Sequence, residues 1–153
     1  MVVHKRMALA VVLTLVLFTP VGVRGDDLAD LRTVFEKDIR LFNAKNSEAF
    51  VGSAHDDVVL FGILSPFATK GKEDLRRMVR GYFEDHVRVM FRLVNPEFVV
   101  VNTSGLAWGA FTIAEYPKVG PRETIHGRYT FTYTKSDGKW VLVALHLSPL
   151  QGY

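Results

Sequence analysis

The stretch GRYTFTYTKSDGKWVLVALHLS, Gly127 to Ser148, decides the fold. Two runs of aromatic and β-branched residues flank Ser136-Asp137-Gly138-Lys139. Asp-Gly supplies the positive φ that a tight hairpin needs, and the flanks suit a pleated, half-buried surface. Working back toward the N-terminus, Glu123 to Thr134, Leu106 to Tyr116 and Val87 to Val101 continue the two-residue period. Asn95-Pro96 interrupts the last of these. Proline has no amide to donate, so a bulge or bend is expected there.

Upstream the period becomes helical. Leu28, Leu31, Phe35, Ile39 and Phe42 recur at three- and four-residue steps behind Asp26 and Asp27, which can cap a helix start. A shorter helix begins at Ser47 and ends near His55, and Val58 to Phe61 reads as a short strand. Gly62 to Gly71 reads as a loop or distorted hairpin. Leu75, Met78, Val79 and Tyr82 mark a third helix. Helices at one end of the chain and long strands at the other imply an α+β domain. The expected form is a curved antiparallel sheet, cone-like, wrapped around the N-terminal helices.

The first 25 residues stand apart. His4, Lys5 and Arg6 precede an apolar run from Met7 to Phe18, Pro20 breaks it, and Val23-Arg24-Gly25 offers small residues at the spacing of a cleavage site. The run is short for a membrane span, which needs about 20 residues. Residues 1–25 are therefore expected to be a cleaved signal peptide, with an uncleaved anchor as the other reading. The domain is then residues 26–153, secreted or periplasmic, with no membrane contact after cleavage. Beyond Gly25 the 16 Lys+Arg balance 16 Asp+Glu, so the pI of 9.3 belongs to the leader. No global basic field remains to attract nucleic acid. The chain has no cysteine, so its stability must come from burial.

Val94-Asn95-Pro96, Gly127-Arg128-Tyr129-Thr130, Asp137-Gly138-Lys139-Trp140 and His146-Leu147-Ser148 together give the chain a family likeness. In that order they resemble the SnoaL-like branch of the nuclear transport factor 2-like superfamily, and the association domain of the calcium/calmodulin-dependent protein kinase. The resemblance implies a cone with an apolar pocket at its wide end and a homodimer through the outer sheet face. A broad sheet face that one layer of helices leaves open points the same way. His126 and Arg128 would then lie in or near the interface. The superfamily holds isomerases, cyclases, dehydratases and scaffolds, so the fold does not deliver an activity.

Parity places Trp108, Ala110, Thr112, Ala114 and Tyr116 on one strand face, where small residues between two aromatics leave room for a ligand. Tyr129, Phe131 and Tyr133 share the inward face of the next strand. On the last strand, His146 and Ser148 fall with Trp140, Leu142 and Ala144. The resemblance sets Tyr133 and His146 on the inner surface. The expected ligand site is thus Trp108, Thr112, Tyr116, Tyr133 and His146, with His146 as the polar handle.

Other chemistry finds little support. The histidines show no close ligand spacing, so no metal is expected, and no Gly-rich loop or nucleophile elbow implies a cofactor or covalent catalysis. Val58 to Leu64 carries no acid where ketosteroid isomerase-like relatives place one, and Phe35 and Phe42 stand where a tyrosine donor is expected. Phe131 and Thr112 occupy the positions of the kinase domain's pocket arginines. The leading expectation is an exported binding or accessory domain for a small apolar or amphipathic molecule. The alternatives are an isomerase, dehydratase or cyclase using His146 as acid or base, and a dimerisation scaffold with a filled interior.

Overall fold

A computed structural model describes residues 25–63 and 65–150. Apart from Gly25, the expected signal peptide lies outside the described residues. Three helices, α1 (Gly25–Asn43), α2 (Ser47–Gly52) and α3 (Lys72–Asp85), pack against one six-stranded sheet. Its strands are β1 (Ala54–Phe61), β2 (Thr69–Lys70), β3 (His86–Val101), β4 (Ser104–Pro117), β5 (Glu123–Ser136) and β6 (Lys139–Pro149), in the order β2-β1-β6-β5-β4-β3. β3 to β6 form an antiparallel meander, whereas β1 joins β6 in parallel. The fold is α+β, a curved sheet around N-terminal helices.

The hairpin at 136–139 closes as its residues demand. Ser136 pairs with Lys139, and Asp137 and Gly138 adopt φ +50° and +75°. At Asn95 the φ is +49°, and the β3–β4 register shifts between Val94 and Glu97. The extra residue bends β3 without ending it. After β1 the chain returns at Thr69 and Lys70, which pair with Leu60 and Val59.

The stripe of α1 fills the cone. Leu31 and Phe35 are fully buried, and Phe35 meets Phe98, Tyr129 and Phe131 edge-on or stacked. Gly105 of β4 lies beneath this helix. A Cβ on Gly105 would lie 2.7 Å from Leu31 Cδ2, so the close approach of α1 requires glycine. Consequently the inward face of β4 is Gly105, Ala107, Gly109, Phe111, Ile113 and Glu115. Trp108, Thr112 and Tyr116 are on the outer face, contrary to the parity expectation. The aromatic residues suggested the buried side, but the close contact of helix and sheet needs small ones.

A second slip affects β6. Tyr133 pairs with Leu142 and Thr132 with Ala144, so Val143 is an extra residue. A single insertion moves every later side chain to the opposite face. Leu142 is inward before the bulge and Leu145 and Leu147 are inward after it. His146 therefore sits outside.

Candidate functional site

Among the described residues, the inner side of the sheet leaves an apolar cavity. Its floor is Leu60, Phe91, Ile113, Phe131, Leu145 and Leu147, drawn from five strands. Leu75, Met78, Val79 and Tyr82 of α3 form one wall, and Ile39, Phe42 and Phe50 close the end toward α1 and α2. Gly62, Ile63, Ser65, Phe67 and Thr69 rim the mouth, where Phe67 is 78% exposed. The cavity volume is about 80 Å³. That is more than one water needs and less than the roughly 150 Å³ that holds a benzene ring. A ring therefore fits only with displacement of lining side chains or with part of it left in the mouth.

One polar cluster adjoins the wall. The Tyr82 hydroxyl donates to Glu115 Oε1 inside the protein. The Tyr82 carbonyl can only accept, so His86 Nδ1, 2.7 Å away, carries the proton that joins them. The other nitrogen, Nε2, is 3.9 Å from Glu115 Oε2, close enough for an ion pair once the ring is protonated. Burial, with the Glu115 carboxylate beside it, pushes the Tyr82 phenol far above its usual range. The hydroxyl stays protonated.

A second polar pair lies at the other end of the core. Asp38 is fully buried on α1 and accepts a 3.0 Å hydrogen bond from Tyr133. Burial raises its carboxyl to about 6, against the opposing pull of Ser53, Tyr133 and Lys37. Tyr133 is raised well above the usual phenol range, first by burial and then by Asp38. Neither residue lines the apolar cavity.

The five residues expected to form a site do not converge. Tyr133 is inward but pairs with Asp38. Trp108 pairs across the outer face with Glu97 and Thr130, and Thr112 Oγ1 is 3.1 Å from His126 Nδ1. The guanidinium carbons of Arg88 and Arg122 lie 5.7 and 5.0 Å from the centre of the Tyr116 ring. His146 is exposed beside Phe61, ring centroids 6.0 Å apart. His126 and Arg128 are on the outer face as expected.

Asp38 and Glu115 escaped the sequence reading, although both carry a signal. Asp38 is three residues beyond Phe35, within the apolar stripe of α1. Glu115 has the parity of Phe111 and Ile113. A carboxylate in phase with an apolar face is buried, and a buried carboxylate needs a partner.

Helices inside a curved sheet, with an apolar cavity beneath α3, define an α+β cone of the nuclear transport factor 2-like kind. Residues 35–143 match the SnoaL-like domain family, and the chain belongs to it. No curated protein matches the chain. Among solved structures, it is similar to a proposed calcium/calmodulin-dependent protein kinase II association domain from Xanthomonas campestris. That match has 19% identity and a TM-score of 0.71, and covers 80% of this chain and 87% of the other. A proposed dehydratase of the nuclear transport factor 2-like family from Streptomyces avermitilis aligns at 13% identity and a TM-score of 0.73, over 81% and 97%. A ketosteroid isomerase-like protein from Erwinia carotovora atroseptica aligns at 20% and 0.72, over 84% and 100%. At these identities the likeness is one of fold.

Proposed function

We propose that the protein is an exported domain that binds a small apolar or amphipathic molecule in the cavity beneath α3. The carrying observation is a wall that is apolar except at Tyr82, Ser65 and Thr69, with an exposed phenylalanine at its mouth. Concave apolar sites with a few placed polar groups are the usual form of a small-molecule site. The basic start and apolar run of residues 1–25 support export, to the periplasm or the exterior.

The test is binding of 1-anilinonaphthalene-8-sulfonate to the parent and to Leu147→Trp, which fills the cavity near its floor. Saturable fluorescence in the parent, lost in a variant that still melts cooperatively in urea, supports the reading. Equal binding by both would place the dye elsewhere and contradict it.

A second reading is acid–base chemistry of the isomerase or dehydratase kind. One observation favours it: a cavity-wall phenol joined to a buried carboxylate with a histidine beside it. In that reading Glu115 and His86 take the role first given to His146.

A further inference from the structure

A second cleft lies on the helix side of the sheet, apart from the cavity beneath α3. It runs between α1, the end of α2 and the turn into β6, and its volume is about 430 Å³. That is within the roughly 300–1,000 Å³ of small-molecule sites. Two buried polar side chains in its lining each have a group left over. Asp38 is 0% exposed; its Oδ2 accepts from Tyr133, while its Oδ1 has no partner among the described residues. The Ser53 hydroxyl is near enough to lower the Asp38 carboxyl, but its proton goes to the Phe50 carbonyl, 2.7 Å away. Trp140 is 5% exposed, and its indole N–H likewise has no partner among the described residues. A buried donor or acceptor is costly to leave unmade, and here one of each borders the same cleft. The rim is charged. Lys37 and Lys139, both exposed, stand next in sequence to Asp38 and Trp140. With Asp30, the lining holds two acids and two lysines.

We propose that this cleft binds a small zwitterion of the amino-acid class, its ammonium group on Asp38 and its carboxylate on the Trp140 indole and the two lysines. Asp38 needs a donor. Its carboxyl, at about 6, is mostly ionised at neutral pH, so a cationic donor suits it better than a neutral one. Ser53 Oγ, which has given its proton to Phe50, can accept from the same ammonium. The Trp140 N–H can only donate, so it needs an acceptor, and the lysines favour an acceptor that is negative. A simple cation would meet the lysines at the rim. A simple anion would meet the charge of Asp38 beneath it. Both buried groups are closed off from solvent, so entry requires side chains at the rim to shift. The long exposed stems of Lys37 and Lys139 are free to do so. Because the cleft opens beside α1, a second copy paired on the outer face of the sheet would leave it accessible.

The test is nitrogen-15 NMR of the full chain at neutral pH, titrated with glycine and with 4-aminobutyrate, which carry the two charges at short and long spacing. The readout is the indole N–H signal of Trp140, and Trp108, the other tryptophan of the chain, is the internal control. At least one of the two zwitterions should move the Trp140 signal saturably and leave Trp108 in place. Binding should be about tenfold weaker in Lys37→Gln/Lys139→Gln. Both altered side chains are exposed, and a urea melt confirms that the variant folds. Methylammonium and acetate, the separate halves of the ligand, should move Trp140 only at much higher concentration. No movement with either zwitterion up to about 100 mM overturns the proposal and leaves the two buried groups to ordered water. Equal binding of methylammonium or acetate, or equal binding by the double variant, overturns it as well. The dye titration of the cavity beneath α3 is independent of either result.

Discussion

The Tyr133 hydroxyl on β5 donates to Asp38 Oδ2 on α1, joining the middle of the sheet to the first helix across 95 residues of chain. The carboxyl is raised from 3.8 to about 6 by burial. A raised carboxyl pKa means the folded state holds the proton more tightly than the unfolded state. Between pH 4 and pH 6 the folded state then binds more protons, and stability falls as pH rises. The loss is of the order of 3 kcal/mol across that window. Asp38→Asn has no proton to lose there. Urea midpoints at pH 4 and pH 7 should differ for the parent by this group's share, and that share should vanish in the variant.

Gly105→Ala and Gly81→Ala should have opposite signs. The first forces a methyl against Leu31, which is fully buried and has nowhere to go. A cost of roughly 1–3 kcal/mol is expected from such overpacking. At Gly81, on α3, a Cβ meets nothing within 4 Å. Alanine there should stabilise by about 0.5–1 kcal/mol. Chemical denaturation of the two variants reads both.

His146→Ala should be nearly silent. The ring is exposed on the outer face, so the change is expected to stay within about 0.5 kcal/mol. Dye binding in the cavity should be unaltered as well. A large change in either, by melt or titration, would return His146 to the interior.

Tyr82→Phe removes the donor to Glu115 and leaves a buried carboxylate with one partner fewer. Urea denaturation at pH 7 should show a loss of about 1–3 kcal/mol. Glu115→Gln keeps an acceptor for the Tyr82 hydroxyl and should cost less.

The sequence displays this fold where local chemistry and long-range packing agree. The stripe of α1, the Asp137-Gly138 turn and the Asn95-Pro96 bulge each follow from residues within a few positions. The site was less legible because facing depends on distant contacts. Which side of β4 is inner depends on how near α1 comes, and Trp108 misleads there because a large aromatic suits either face. The turn of His146 to the exterior comes from one extra residue at Val143, and no residue type around it announces a bulge. Phe131 and Tyr133 do face inward as their phase predicts, because three aromatics in phase outweigh such ambiguity. The cavity itself is assembled from ordinary core residues, and its polar neighbour Glu115 is a single acid in an apolar phase.

Methyl NMR of the protein titrated with indole, a small apolar ring, is the sharpest probe of binding beneath α3. Saturable shifts are expected at the methyls of Ile39, Leu60, Ile113 and Leu145, with Val99 and Leu106 on the outer face unmoved. Shifts confined to the outer face, or none at the cavity methyls up to indole's solubility, would contradict it.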